Sequence, residues 1–178
     1  MAIGATIYKA NLNLSNLNSH HYADYSLTVA KHPSESETRL MCRVVAFLHA
    51  AHEDLEFTKG ISSAEEPDLW QRDLSGTIVH WIELGMPEEK RIRQACGRAE
   101  QVSIYTYHDN KADIWLEKNR SALTSNKKVK VYHIGVEGDG ALEQLLIKAM
   151  DLGCIIEEDQ MHLSDANRHV TVRITQSL

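Results

Sequence analysis

The length, composition and charge of the chain limit the classes of protein to which it can belong. With 178 residues, of which 43% are apolar, the chain is long enough for one ordinary domain with a substantial core. Its net charge of −6 argues against a protein that coats nucleic acid through a broad basic surface, but is compatible with a local basic cleft. No stretch approaches the roughly 20 apolar residues that span a bilayer, so no membrane partner is predicted.

The cysteines and the N-terminus indicate the expected compartment. Cys42, Cys96 and Cys154 lie far apart in the chain, among apolar residues, and form no CxxC pair. This pattern predicts reduced, buried thiols in a reducing environment. The N-terminus lacks the basic start and the apolar run of a secretory signal peptide. We therefore expect a cytoplasmic protein, while the sequence gives no indication of the oligomeric state.

The first half of the chain predicts two hairpins separated by a helix. Alternation of apolar and polar residues indicates strands, and apolar residues at helical spacing indicate a helix. In chain order, the predicted elements are strands over Ala2–Leu14 and Tyr22–Ala30, a helix over Ser34–His52, a short edge strand over Leu55–Phe57, an acidic loop over Ser62–Pro67, and strands over Leu69–Leu74 and Thr77–Leu84. The last of these strands is nearly all apolar, so we expect it to be central in its sheet.

The second half of the chain alternates helices with strands. The predicted elements are a helix over Pro87–Ala99, a strand over Gln101–Tyr107, a helix over Ala112–Leu123, a strand over Val129–Val136, a helix over Ala141–Leu152, and strands near Cys154–Leu163 and over His169–Thr175. This alternation predicts crossover connections and parallel pairing. The expected fold is therefore a single α/β domain over residues 1–178, with a mixed central sheet flanked by helices.

Three acidic residues stand at positions where a carboxylate needs a partner. Glu37 precedes Leu40 and Met41 by three and four residues, which predicts that it points inward at the start of the apolar stripe. Asp68 begins a predicted strand, and Glu83 ends the most apolar strand of the chain. A carboxylate in such a place is costly to desolvate unless it is paired or binds a cation.

The segments around Asp68 and Glu83 resemble the motif of PD-(D/E)xK nucleases. Glu66-Pro67-Asp68 and Trp81-Ile82-Glu83-Leu84-Gly85 have the motif's order, and their spacing fits two strands of a hairpin. The whole chain is similar to the YaeQ family of small bacterial proteins through ATIYKANLNLS, ESETRLMCRVVAFL, EPDLW and WIELGMP.

The resemblance implies a restriction-endonuclease-like core preceded by an N-terminal hairpin. It also implies a metal-dependent phosphodiesterase or nuclease, in which Glu37, Asp68 and Glu83 hold Mg²⁺ or Mn²⁺.

The chain departs from the nuclease motif at Gly85, which stands where the motif has a lysine. In the following helix, Lys90 or Arg91 is a candidate for the displaced cation, and Gln94 for a second polar contact. The same basic helix is the candidate contact with nucleic acid. A basic run over residues 90–93 is also typical of a solvated helix face, so both interpretations stay open.

Each acidic residue also has a structural interpretation. Ser34 and Glu37 match a capping box at a helix start. Asp68 fits a turn acid after proline, and Glu83 fits a strand end that is solvated or paired with Arg91. These interpretations, together with Gly85, support the alternative of a non-catalytic nuclease-fold module with a binding or regulatory role.

Overall fold

A computed structural model describes residues 4–178, and the chain divides into two units, each of which holds five strands for most of their length. The first unit comprises the chain up to His49 and residues Gly135–Ile174, and the second comprises Ala50–Ile134 and Thr175–Leu178. The expectation that residues 1–178 form one domain stays a prediction.

The elements follow in chain order as β1 (Thr6–Asn16), β2 (His21–Lys31), α1 (Glu37–His49), β3 (Leu55–Phe57), β4 (Leu69–Arg72), β5 (Ile78–Leu84), α2 (Glu89–Arg98), β6 (Ala99–Thr106), α3 (Asp109–Thr124), β7 (Val129–Val136), β8 (Ala149–Glu157), β9 (Gln160–Ser164) and β10 (His169–Gln176). Short 3₁₀ turns cover Gly60–Ser62 and Leu142–Leu145.

The strands of the first unit are hydrogen-bonded in the order β2-β1-β8-β9-β10. Strands β1 and β2 form an antiparallel hairpin, which confirms the predicted N-terminal hairpin, while β1 and β8 pair in parallel. The helix α1 is buried at every residue from Leu40 to Leu48. A helix that is apolar nearly all round is expected to be enclosed rather than to lie at a surface.

The strands of the second unit are hydrogen-bonded in the order β7-β6-β5-β4-β3, so the apolar strand β5 has a strand on each side and is central, as predicted. Strands β3, β4 and β5 are antiparallel, whereas β5, β6 and β7 are parallel and are joined through α2 and α3. Side chains of both helices share one apolar core with Trp81, Val102 and Ile104. The mixed α/β class is thereby confirmed, and the carboxyl end of β5 lies beside the start of α2.

The predicted helix over Ala141–Leu152 is wrong. A 3₁₀ turn covers Leu142–Leu145, and strand β8 begins at Ala149. Met150, Leu152, Cys154 and Ile156 are buried while the residues between them are more exposed, so this segment follows the two-residue period of a strand. The predicted first strand included Ala2 and Ile3, which lie outside the described residues; β1 begins at Thr6.

All three cysteines are free thiols, with Cys42 and Cys154 buried and Cys96 half-buried. Burial raises the pKa of Cys42 and of Cys154 to about 12, so both remain protonated at neutral pH. Within residues 4–178, the helices are all too short or too polar to cross a membrane.

Candidate functional site: two carboxylates beside helix α2

Asp68 is buried immediately before β4, with 2% of its surface exposed. Its Oδ2 atom accepts a hydrogen bond of 2.8 Å from the backbone N–H of Leu84, and its own N–H donates to the Ile82 carbonyl at 3.1 Å. A Cβ atom at Gly60 would lie 3.4 Å from Oδ1, and Gly60 has a φ of +54°, which favours glycine. The end of β5 and the close approach of Gly60 therefore fix the orientation of this carboxylate.

Glu83 lies next to Asp68, because Leu69 of β4 is paired with Ile82 of β5. Its side chain is also buried, and its Oε1 atom accepts hydrogen bonds from Trp81 Nε1 at 2.9 Å and from Arg91 Nε at 2.6 Å. Burial, and then the negative charge of Asp68, raise the pKa of Glu83 from 4.5 to about 7, although Arg91 opposes the shift. The two carboxylates thus repel each other and favour a nearby positive charge.

Arg91 is the cation that the structure places at these carboxylates. Besides its ion pair with Glu83, its Nη2 atom donates to the Glu66 carbonyl at 2.6 Å, and its Nη1 atom donates to the Ala64 carbonyl and to Gln94 Oε1 at 3.2 Å. Its guanidinium also lies over the Trp81 ring, 5.0 Å from the ring centre. The structural interpretation of Glu83 as a partner of Arg91 therefore describes the arrangement present in the molecule.

A cavity of about 640 Å³ opens beside this ion pair in the second unit. Its lining residues are Ala64, Glu65, Glu83, Leu84, Met86, Pro87, Glu88, Lys90, Arg91 and Gln94. Lys90 is exposed, whereas Arg91 and Gln94 are half-buried. The three residues predicted from the basic helix therefore share one cavity, and only Arg91 is paired with Glu83.

The prediction that Glu37 points inward is wrong. Glu37 is the first residue of α1, in the first unit, and its side chain is exposed. The helix cap is Ser36, whose Oγ atom accepts from the backbone N–H of Arg39 at 3.1 Å. Ser34, the cap residue of the predicted capping box, instead bonds His32 Nδ1 at 2.7 Å. The cap thus lies two residues later than predicted, which gives Glu37 a different direction.

Glu35 is the buried glutamate of this region, and the sequence analysis missed it. Only 5% of its surface is exposed, and it accepts hydrogen bonds from Arg43 Nε at 2.8 Å and Arg43 Nη2 at 2.7 Å. Arg39 adds a third at 3.0 Å, and Arg43 also donates to the Ala30 carbonyl. An arginine in the middle of the apolar run of α1 was the signal, because a buried guanidinium requires an acidic partner.

The metal ion implied by the nuclease resemblance has two candidate ligands in the second unit, Asp68 and Glu83. Across the described part of the chain, no group of three or more His, Cys, Asp or Glu side chains is placed to hold a metal ion. Magnesium, however, keeps several waters and is commonly bound through one or two carboxylates. The mutual repulsion of Asp68 and Glu83 also fits a divalent cation, so this pair suits a site completed largely by water.

Known proteins similar to this chain share nearly its whole length. The relative named "Uncharacterized protein YaeQ" from Escherichia coli (strain K12) is 37% identical over 175 residues, which cover 98% of this chain and 97% of the relative. The protein of the same name from Salmonella typhi is 37% identical over 178 residues, with the same two coverages.

Two crystal structures of YaeQ proteins also match. The structure from Xanthomonas axonopodis pv. citri has a TM-score of 0.92 and 34% identity, and the match covers 97% of this chain and 98% of that one. The structure from Pseudomonas syringae has a TM-score of 0.89 and 29% identity, with coverages of 98% and 96%. The family model described as YaeQ protein matches residues 1–174. The chain belongs to the YaeQ family.

Proposed function

We propose that the chain has a restriction-endonuclease-like core and is a metal-dependent phosphodiesterase that cleaves nucleic acid. The observation that carries the proposal is the buried pair of Asp68 and Glu83, in which the charge of one carboxylate raises the pKa of the other. A pair of this kind is stabilised by a divalent cation, and the cavity beside it provides space for a phosphate group.

The residues of the chain have separate roles in this proposal. Asp68 and Glu83 bind Mg²⁺ or Mn²⁺, and the hydrogen bonds from Leu84 N–H and Trp81 Nε1 hold their carboxylates in place. When bound, such an ion polarises a phosphate and lowers the pKa of an attacking water. Lys90, exposed on the cavity lining, binds the phosphate backbone.

Arg91 takes the place of the lysine that the nuclease motif has at the position of Gly85. Before a metal ion binds, its Nε atom lies 2.6 Å from Glu83 Oε1. Because Arg91 also lines the cavity, its positive charge stays near a phosphate when a metal ion occupies the carboxylates. Gln94 lines the same cavity and bonds Arg91, which keeps the guanidinium directed at this region. Glu37 has no role in this version of the site.

The test is cleavage of labelled single-stranded and double-stranded DNA and RNA in Mg²⁺ or Mn²⁺. We expect Asp68→Asn and Glu83→Gln each to reduce cleavage by more than about 100-fold, since even outer residues of metal sites cost roughly 10–100-fold when changed. Asp151→Asn, which removes an exposed carboxylate of β8, serves as the control and retains activity. Equal cleavage by the wild type and both site variants contradicts the proposal.

The alternative of a non-catalytic nuclease-fold module is favoured by one observation. The Nε, Nη1 and Nη2 atoms of Arg91 all donate to acceptors of the protein itself, so the guanidinium acts as an internal counterion in this conformation. This alternative predicts no turnover with any divalent metal, together with binding of a nucleic acid or a protein that is unchanged in Asp68→Asn.

A further inference from the structure

The loop that leads to Asp68 is held against α2 through its main chain. The carbonyl groups of residues 64, 65 and 66 accept hydrogen bonds from Arg91, Gln94 and Arg98 of that helix. Ala64 and Glu65 also line the cavity beside the carboxylates. Residues 64 and 65 therefore form part of the cavity wall and are fixed to α2.

Arg91 is the side chain that connects this loop to the carboxylate pair. Its Nε atom is bonded to Glu83 Oε1 at 2.6 Å, while its Nη2 atom is bonded to the Glu66 carbonyl at the same distance. A rigid guanidinium cannot leave one partner without disturbing its bonds to the other. A change at Glu83 is thereby transmitted to residues 64–66.

A divalent cation bound at Oε1 of Glu83 would compete with Arg91 for this oxygen. The Oε1 atom of Glu83 already accepts two hydrogen bonds, from Trp81 and Arg91, so a metal ion reaching this oxygen displaces one of them. Arg91 is the one that leaves, because repulsion between two positive charges is strong in a buried site with few waters.

We propose that Arg91 is a latch that holds residues 64–66 on α2 until a divalent cation at Asp68 and Glu83 displaces it. Loss of the Arg91 bonds to the Ala64 and Glu66 carbonyls then loosens the loop, which Gln94 and Arg98 still contact, and widens the rim of the cavity. Metal loading thereby precedes admission of nucleic acid. This regulation rests on the proposed function of the carboxylate pair as a metal site.

The experiment is hydrogen–deuterium exchange of the backbone amides of residues 62–66, with and without Mn²⁺. In the wild type we expect Mn²⁺ to accelerate this exchange by about tenfold, because loosening of the loop opens the hydrogen bonds that the Ser62 and Ser63 N–H groups donate to the Lys59 and Gly60 carbonyls. Asp68→Asn, which removes a metal ligand, shows no acceleration. Arg93→Met is the matched control, because Arg93 lies exposed on the same helix and pairs only with Glu89 among the described residues.

Two substitutions of Arg91 separate the latch from the metal site. Arg91→Lys keeps a positive charge near Glu83 but lacks the fork that reaches both the carboxylate and the loop carbonyls, so exchange of the loop is fast before Mn²⁺ is added. Arg91→Met also removes the competing charge, so calorimetry shows Mn²⁺ binding that is about tenfold tighter than in the wild type. If Arg91→Met fails to fold, the exchange of Arg91→Lys decides the test.

The outcomes distinguish failure of the latch from failure of the proposed function. If Mn²⁺ binds the wild type and supports cleavage while exchange of residues 62–66 stays unchanged, the latch is wrong and the metal site stands. Loop exchange in Arg91→Lys equal to that in the wild type also overturns the latch. If neither the wild type nor Arg91→Met binds Mn²⁺, both the latch and the metal-dependent function are wrong.

Discussion

Glu83 is disfavoured in its ionised form, because burial and the charge of Asp68 raise its pKa from 4.5 to about 7. As the pH rises through this range, the unfolded chain releases the proton first, so the contribution of Glu83 to the free energy of unfolding falls. This contribution is largest below pH 4.5 and is lost above about pH 7, a difference of roughly 3 kcal/mol.

Replacing this carboxylate with an amide removes its pH dependence. Relative to the wild type, the free energy of unfolding of Glu83→Gln should increase by roughly 2.5 kcal/mol between about pH 5 and about pH 8. Urea denaturation at the two pH values measures it, with the exposed Glu100→Gln as the control. If the free energies of unfolding of Glu83→Gln and the wild type differ by the same amount at both pH values, the pKa of Glu83 is not raised.

The ion pair of Glu35 and Arg43 is buried on both sides, so removal of one partner leaves an uncompensated charge. We expect Arg43→Met to lower the free energy of unfolding by about 3–5 kcal/mol, measured by chemical denaturation. The double variant Glu35→Gln with Arg43→Met should lose less free energy of unfolding than Arg43→Met alone, because it leaves no unpaired buried charge. Arg93→Met, which breaks an exposed pair with Glu89, should cost under about 1 kcal/mol. Equal losses in the two arginine variants contradict this account.

The sequence predicts the proximity of Asp68 and Glu83 correctly but the direction of Glu37 wrongly. The proximity of Asp68 and Glu83 can be predicted because a short hairpin pairs the residues at its open end. The direction of Glu37 could not be predicted, since Ser34 and Ser36 are both suitable helix caps. A shift of the cap by two residues moves a side chain to a different face of the helix, and Glu35 rather than Glu37 is buried.

The turn between β5 and α2 explains why the chain has no lysine at the motif position. Gly85 has a φ of +101°, a conformation that residues with a Cβ rarely adopt, although no atom lies within 4 Å of an added Cβ. The obstacle to a lysine here is therefore backbone strain rather than lack of space.

Reintroducing the lysine should destabilise the protein instead of restoring a typical site. We expect Gly85→Lys to lower the free energy of unfolding by about 1–3 kcal/mol and to give no increase in cleavage. Thermal denaturation measures the loss. Gly97→Lys is the matched control, because Gly97 lies exposed in α2 and a helix favours lysine over glycine there. An active and fully stable Gly85→Lys variant contradicts the interpretation.

The segment after β7 shows why local patterns mispredict some elements. Leu142, Leu145 and Ala149 follow helical spacing, but the alternation from Met150 to Ile156 belongs to a strand. Strand β8 pairs with β1, whose residues lie far away in the sequence. Pairing and burial against this distant partner override the local preference for a helix.

At the scale of the whole molecule, the mixed α/β class and the family could be predicted, because strand–helix alternation and extended sequence segments carry that information. The division into two units was not predicted. Unit boundaries depend on which strands pair across the chain, and no Gly-rich or Pro-rich linker marks them in the sequence.

Metal binding should stabilise the whole folded chain, since a ligand that binds only the folded state raises its stability by mass action. At a concentration 100 times the dissociation constant, the gain is about 2.7 kcal/mol. We expect Mn²⁺ to raise the melting temperature of the wild type, EDTA to reverse the increase, and Asp68→Asn to show neither effect. An equal increase in Asp68→Asn indicates that the ion binds elsewhere.

The most direct test of the carboxylate pair as a cation site is anomalous diffraction from a crystal soaked in manganese. The account predicts one anomalous peak within coordination distance of both Asp68 and Glu83, with the Arg91 guanidinium displaced from Glu83. A map with no peak at these two carboxylates, while Arg91 remains bonded to Glu83 at saturating manganese, contradicts it.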